Sequence, residues 1–386
     1  MSTSRQEAIA TLRTACEHGN LTLYLGAGVS VDNGLPTWEQ LVLAMYFSAI
    51  SKQSLGGWRP FPNYLFAIAE WHLENSREPL EITARKLRNL YGEEGQASFR
   101  DSLRSTLYGG FLDPNGDISG APSPDQLLSA SPTLAAVTAL CSQTRASQRA
   151  VKSVITYNYD NLLELALGSY PHQSVFGEGA VKPEIMPVYH VHGFVPMTGQ
   201  GSLPDDIVFT EDQYHRAARD PYSWSNLVQI RSMAGSIGLM IGLSLTDRNM
   251  RRLLDAVSKA PLESQQFILL QRPKGEPPPD EDLDQIHQKA IKYLDRFKRS
   301  GIKSAEMQTD AVMTAGPGIK ADYPTLRRSR PGTKGPLYQE EIAGIIEQVE
   351  RLDAEQQTAV LTQLGVTPIW YDEHDEVGPL LDEIRT

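Results

Sequence analysis

Short apolar runs alternate along the whole chain with segments in which apolar residues recur at helical spacing. Each apolar run has the length of a buried strand, and the predicted strands are 21–25, 153–156, 188–191, 238–242, 267–270 and 366–371. The predicted helices are 5–18, 38–50, much of 64–108, 160–168, 210–234 with a break at Asp220-Pro221, 249–257, 283–299 and 338–363. This alternation predicts an α/β fold, in which helices cover both faces of a parallel sheet.

Turn-forming residues predict the segments that lie outside this alternation. The expected loops are 51–63, 109–132 and the charged, proline-rich 271–282. No element is assigned to 304–336. We therefore expect a sheet domain made of 1–270 and 364–386, with a helical insertion around 51–150. The remaining residues, 271–363, are expected to form an accessory helical and loop region.

Composition excludes several classes of protein. The 386 residues are 40% hydrophobic and 22% charged, which is a globular balance, and the net charge of −11 disfavours direct binding of nucleic acid. The two cysteines, Cys16 and Cys141, are too few for a disulfide scaffold or a four-cysteine zinc site. The first twenty residues lack the apolar core of a signal peptide, and no apolar run approaches the ~20 residues of a membrane helix. We expect a cytoplasmic protein without a membrane segment.

Glycine-rich or polar segments follow four of the predicted strands, at 26–30, 156–160, 192–193 and 242–247. Ligands of parallel α/β sheets bind at the carboxyl ends of the strands, so we expect these segments to form one site. Gly26–Ser30 (GAGVS) suits phosphate, because small residues and a helix amino terminus let backbone N–H groups approach an anion. The alternative is a tight strand–helix turn, since Val31 replaces the third glycine of the dinucleotide fingerprint.

Polar side chains at two strand ends have both a chemical and a structural interpretation. Asn158 can hold a water or a sugar hydroxyl, or it can be a turn residue. Ser244 can donate to a phosphate or ribose oxygen. Asp160 and Asp247 each precede a predicted helix, and capping that helix is the simpler role for both.

Two histidines end the strand before Gly193. Alternate residues of a strand point the same way, so His190 and His192 are expected on one face. His192 lies at the tip and suits a general base, whereas His190 suits packing or hydrogen bonding. The pair could ligate a metal, but no third ligand is evident nearby.

Five of these segments, taken in order, resemble the sirtuin family, and more closely its bacterial sirtuin-like NADase branch found in antiphage defence. They are GAGVS with NGLPTW (26–38), ITYNYDNLLE (155–164), HVHGFVP (190–196), FTEDQYHRA (209–217) and IGLSLTDRNMRRLL (241–254). The last strand, within VTPIWYDEHDEVGPLL, resembles the closing strand of that branch. The resemblance implies that the sheet domain is Rossmann-like and binds NAD⁺.

The resemblance also implies the roles of individual residues. Asn158 would position water and ribose hydroxyls, and His192 would act as the base. Pro36 and Trp38 fall where the nicotinamide pocket would be. The residues expected to contact NAD⁺ are Gly26, Ala27, Gly28, Ser30, Pro36, Trp38, Asp160, Gly242 and Ser244. No metal is expected, because the four-cysteine zinc module of sirtuin deacylases cannot be built here.

These expectations lead to a functional hypothesis. Thr37 and Trp38 follow Pro36 where deacylases carry Asp-Phe-Arg, which disfavours deacylation. NAD⁺ is then a substrate, hydrolysed to nicotinamide and ADP-ribose, and its depletion would serve antiphage defence. The resemblance further implies a homo-oligomer paired with a HerA-type ATPase. The alternatives are an NAD or ADP-ribose sensor without turnover, and a protein deacylase or ADP-ribosyltransferase.

Overall fold

A computed structural model describes residues 5–54, 68, 71, 79–92, 96–111, 121–145, 148–260, 265–272 and 336–386. The predicted helix 283–299 and most of the expected loops 51–63 and 271–282 lie outside the described residues. The chain divides into two compact units, Met1–Arg272 with Thr358–Thr386, and Pro273–Gln357. The first unit contains the sheet.

Seven strands form one parallel sheet in the order β5-β6-β4-β1-β7-β8-β9. The strands of the described residues are β1 Leu21–Leu25, β2 Thr144–Arg145, β3 Gln148–Arg149, β4 Val151–Thr156, β5 His172–Val175, β6 Met186–His190, β7 Ile237–Ile241, β8 Gln266–Gln271 and β9 Val366–Tyr371. β2 and β3 form a separate antiparallel pair. All six predicted strands are present, and β5 is an additional edge strand.

Twelve α-helices lie within the described residues. They are α1 Arg5–Glu17, α2 Trp38–Ser54, α3 Leu80–Tyr91, α4 Gln96–Leu107, α5 Pro124–Ala130, α6 Pro132–Cys141, α7 Leu162–Leu167, α8 Glu211–Arg219, α9 Trp224–Gly235, α10 Arg248–Ser258, α11 Pro336–Gln363 and α12 Val377–Arg385. The predicted break at Asp220-Pro221 is confirmed, since α8 ends before it. Within the described residues, no helix combines the length and the apolar character that crossing a bilayer requires.

The predicted loop 109–132 was wrong in its second half, because α5 (Pro124–Ala130) lies there. Ser123 caps α5 through a capping box, and Ser131 caps α6 by accepting from the Leu134 N–H. Each serine precedes a proline, which suits the first helical position because that position has no N–H bond to lose. The Ser-Pro pairs are therefore helix starts here and not loop residues.

The sheet is buried on both faces. Leu23 and Leu25 of β1 belong to one apolar cluster, while Tyr24 between them belongs to a second. Successive side chains of a strand point to opposite faces, so the two clusters lie on opposite sides. This confirms the predicted Rossmann-like α/β architecture.

β1 lies at the centre, where the order of the strands changes direction. β4 and β7 flank it, and Leu25 is level with both Thr156 and Ile241. The residues that follow these three strands are therefore neighbours at one edge of the sheet. A crevice at such a switch point is where open α/β sheets bind their ligands.

Candidate functional site

Three glycines bring the ends of β1 and β7 into backbone contact. The Gly26 N–H donates to the Ile241 carbonyl at 3.0 Å, and the Gly28 N–H donates to the Gly242 carbonyl at 3.1 Å. A Cβ on Gly28 would lie 2.7 Å from the Gly242 Cα, and one on Gly26 would clash with the Gly242 carbonyl oxygen. Gly242 itself has a positive φ of 66°. We call this contact of Gly26, Gly28 and Gly242 the glycine clasp; it is filled by main chain.

The loop after β1 does not begin an α-helix. It forms two 3₁₀ turns, Ala27–Val29 and Val31–Asn33, and α2 begins only at Trp38. The expected helix amino terminus at Gly26–Ser30 was therefore wrong. Within Gly26–Ser30, four of the five N–H groups donate to backbone carbonyls, whereas that of Ala27 has no partner among the described residues. Further along the loop, the N–H groups of Val31 and Asp32 likewise have no backbone partner among the described residues.

Asn158 connects the β4 end to the β1 end. Its Nδ2 donates to the Gly26 carbonyl at 3.0 Å and to the Ser30 Oγ at 3.3 Å. The Ser30 hydroxyl donates onward to Asp160 Oδ2 at 3.0 Å. A carbonyl oxygen only accepts, so the Gly26 contact fixes the orientation of the amide. Both amide hydrogens are used, and Oδ1 remains as an acceptor without a partner among the described residues.

Asp160 is buried below Asn158. Its Oδ1 accepts from the N–H of Leu162, the first residue of α7, although the N-cap residue of that helix is Asn161 and not Asp160. Burial raises the pKa of this carboxyl, and the bonds from Leu162 and Ser30 only partly offset that effect. Asp160 therefore serves both the helix start and the Asn158 network.

His192 contacts a different set of residues. Its Nε2 lies 3.2 Å from Asp247 Oδ2, and its ring meets those of Tyr157 and Tyr214 edge-on, at 5.0 and 5.4 Å between centroids. Asp247 Oδ2 has no other partner among the described residues. The His192 side chain is 11% exposed, so it is mostly buried but still accessible to solvent.

The expectation that His190 and His192 share a face was wrong, because β6 ends at His190 and the chain turns. The His190 ring is buried, with Nε2 at 2.6 Å from Glu164 Oε1 and Nδ1 at 3.3 Å from the Asn158 carbonyl. Burial would raise the pKa of Glu164, but His190 outweighs this and the pKa is lowered. His190 thus holds the Asn158 backbone against a buried carboxylate.

A cavity of about 10 Å³ lies beside this network and accommodates about one water. Its polar lining is Ser30, Thr156, Asn158, Asp160 and Glu164. Asn158 is partly exposed and lines this cavity. The cavity as it stands is too small for a ligand larger than water.

Three other predicted site residues, Ser244, Pro36 and Trp38, form no hydrogen bond with Asn158 in the part of the chain that the structure describes. Ser244 is exposed and shares a 2.8 Å hydrogen bond with Thr246. Pro36 is buried, and Trp38 packs on Phe209 with 6.4 Å between ring centroids. The Trp38 indole N–H is buried and lies near the Tyr159 hydroxyl.

Sequence reasoning missed two acidic residues of the site. Glu164 was overlooked although an acid inside the apolar segment LLELAL signals a buried partner. Asp247 was interpreted as a helix cap, which is correct for Oδ1 but says nothing of Oδ2. Both cysteines are buried. Among the described residues, no three His, Cys, Asp or Glu side chains cluster in a way that could hold a metal ion.

The fold and the site together define a class: a doubly wound α/β protein with a polar site at the switch point of its sheet. A family model described as "SIR2-like domain" matches residues 152–294. The match supports a sirtuin-like family and is consistent with NAD-related activity; it includes Asn158, His192 and Asp247 but not the loop after β1. A search of curated proteins found no match.

Proposed function

We propose that this chain is an NAD⁺ glycohydrolase, which cleaves the nicotinamide–ribose bond and yields nicotinamide and ADP-ribose. The SIR2-like match supports NAD⁺ as the ligand. The observation that carries the hydrolytic part is the orientation of Asn158, whose amide hydrogens are both used inside the protein while Oδ1 is left to accept. An acceptor held in this way can orient a water or a ribose hydroxyl.

The reaction needs little from the protein beyond orientation and a base. The C1′–N electron pair moves to the pyridinium nitrogen, and nicotinamide leaves as a neutral molecule, so no general acid is required. The ribosyl group passes through an oxocarbenium-like state, toward which the Asn158 oxygen presents negative charge. Water then attacks C1′ while His192 accepts its proton, a contribution of about 10²–10⁴ in rate.

The same proposal extends to the setting of the reaction. By the resemblance to the antiphage branch, NAD⁺ depletion would stop an infected cell, and the chain would act as a homo-oligomer with a HerA-type ATPase. An enzyme that consumes NAD⁺ has to be restrained before infection. The small cavity beside Asn158 supports control by movement of the surrounding loops, which a partner or a second copy would favour.

Chromatography of NAD⁺ and its products tests the proposal, with the chain alone and with the ATPase added. We expect nicotinamide and ADP-ribose from the wild type and a loss of about 100-fold or more in His192→Ala. His215→Ala is the matched control, because His215 is exposed on α8 and pairs only loosely with Glu211 at 3.8 Å. Equal rates in wild type and His192→Ala would refute the proposal.

Two other outcomes would identify the alternative functions. Thermal stabilisation by NAD⁺ without release of nicotinamide would indicate a sensor. Nicotinamide release that depends on an acylated peptide or on a protein acceptor would indicate a deacylase or an ADP-ribosyltransferase.

A further inference from the structure

We propose that Asp247 is the positioning residue of His192: it holds the ring so that Nδ1 faces the substrate side as the proton acceptor. The inference deepens the proposed function and rests on it for its kinetic consequences. The tautomer of the His192 ring can be measured even if the chain does not hydrolyse NAD⁺.

The Asp247 carboxylate is held at one oxygen and open at the other. Oδ1 accepts from the Met250 N–H at 2.7 Å and so caps α10. Oδ2 faces His192 Nε2 at 3.2 Å and has no other partner among the described residues. A cap alone uses one oxygen, so the placement of the second oxygen against a histidine is not explained by helix capping.

The charge of Asp247 determines which ring nitrogen carries the proton. Burial would raise the pKa of this carboxyl, but His192 and the N–H groups of Met250 and Asn249 outweigh it, and the pKa is lowered. An ionised carboxylate only accepts, so the Nε2 that faces it is the N–H nitrogen. The lone pair is then on Nδ1, on the opposite side of the ring.

The two tyrosines that contact the ring are neutral at physiological pH. Tyr157 and Tyr214 meet it edge-on, and burial raises the pKa of both phenols well above the usual value. The Tyr157 hydroxyl is directed elsewhere, donating to Gln229 Oε1 at 2.6 Å. Asp247 is therefore a charged group in direct contact with His192, and the two tyrosines do not compete with it.

The backbone before Asp247 is in an unusual conformation. Leu245 has a φ of 54°, and no other non-glycine residue in the described ranges has a positive value. Its side chain is buried in the second cluster. A left-handed conformation costs about 1–2 kcal/mol outside glycine, and such strain is concentrated at functional sites. Here it turns the chain between β7 and α10 and brings Asp247 to the sheet edge.

The test compares Asp247→Asn with Asp255→Asn in the full chain. Asparagine caps helices as well as aspartate does, so Asp247→Asn removes the charge and keeps the cap. Asp255 lies on the same helix, pairs with Lys259 at 2.6 Å, and its side chain is 46% exposed. We expect Asp247→Asn to lower kcat between about 10-fold and about 10⁴-fold with KM nearly unchanged, as for other histidine-orienting aspartates. Asp255→Asn should match the wild type.

A second measurement is independent of turnover. In ¹⁵N NMR spectra of the imidazole rings, the wild type should show His192 as the Nε2–H tautomer, and Asp247→Asn a mixture, because an amide both donates and accepts. An identical His192 spectrum in the two proteins would overturn the proposal. If the wild type hydrolyses no NAD⁺ but the tautomer responds, the proposed function fails and the role of Asp247 stands.

Discussion

The amide of Asn158 is asymmetric in its contacts, and this asymmetry has a chemical meaning. Its nitrogen donates to the Gly26 carbonyl and the Ser30 hydroxyl, which leaves its oxygen as an acceptor without a partner among the described residues. The side chain therefore acts as an acceptor whose direction is set before a ligand arrives. Such advance orientation lowers the reorganisation that a transition state would otherwise require.

Asn158→Asp should remove this function while nearly preserving size. A carboxylate cannot donate to the Gly26 carbonyl, and it would lie near the buried Asp160 as a like charge. We expect NAD⁺ hydrolysis to fall about 100-fold or more and the free energy of unfolding to fall by about 1–3 kcal/mol. Asn89→Asp, at an exposed position of α3, is the control; equal effects of the two substitutions would contradict the argument.

Asp160 should make the stability of the protein depend on pH. Its pKa is raised by burial, so the folded state binds the proton more tightly than the unfolded state does. The stabilisation by protonation is present at low pH and is lost as the pH rises through the folded-state pKa. Urea denaturation between pH 7 and pH 4 should therefore show wild type gaining stability relative to Asp160→Asn as the pH falls. A constant difference would contradict this assignment.

The sequence motifs indicated Ser30, Asn158 and Asp160 because each follows a recognisable apolar strand. The structure brings these three together through hydrogen bonds. The partnership of Asp247 with His192 could not be predicted, because 55 positions separate them and the local capping pattern accounted for the aspartate. Contacts between strand ends depend on the order of strands in the sheet, which spacing along the chain does not contain.

At the scale of elements, the glycine clasp joins two loops through their backbones. Gly28→Ala would place a Cβ 2.7 Å from the Gly242 Cα, where no flexible side chain can yield. We expect a loss of about 1–3 kcal/mol in the free energy of unfolding, measured by chemical denaturation. Gly177→Ala, where a Cβ meets nothing within 4 Å, should change stability by less than about 0.5 kcal/mol. A similar change in the free energy of unfolding for both variants would show that the glycine clasp has room for a Cβ at Gly28.

The elements that were missed lack the signal on which the prediction depended. β5, with the sequence HQSV, has one buried residue and lies at the edge of the sheet. An edge strand packs against a single neighbour, so an apolar run is not required there. α5 and α6 were missed because serine and proline occur both in loops and at helix starts. Only the hydrogen bonds of Ser123 and Ser131 distinguish the two.

At the scale of the molecule, the architecture was predictable because both faces of the sheet are buried. Strands such as β1 and β7 then consist of nearly continuous apolar residues, which stand out between helical segments. The order of the strands could not be predicted in the same way. A hairpin turn shows in the sequence which two strands pair, whereas the long crossover between parallel strands does not show which strands are neighbours.

The glycine clasp consists of main-chain atoms of Gly26, Gly28 and Gly242, and this has an evolutionary consequence. The exposed Ser244 lies next to this contact along the chain, and its side chain takes no part in it. Descendants of one ancestral chain can thus diverge in what they recognise while inheriting an unchanged frame. Residues around the glycine clasp can then change during evolution while the clasp itself stays the same.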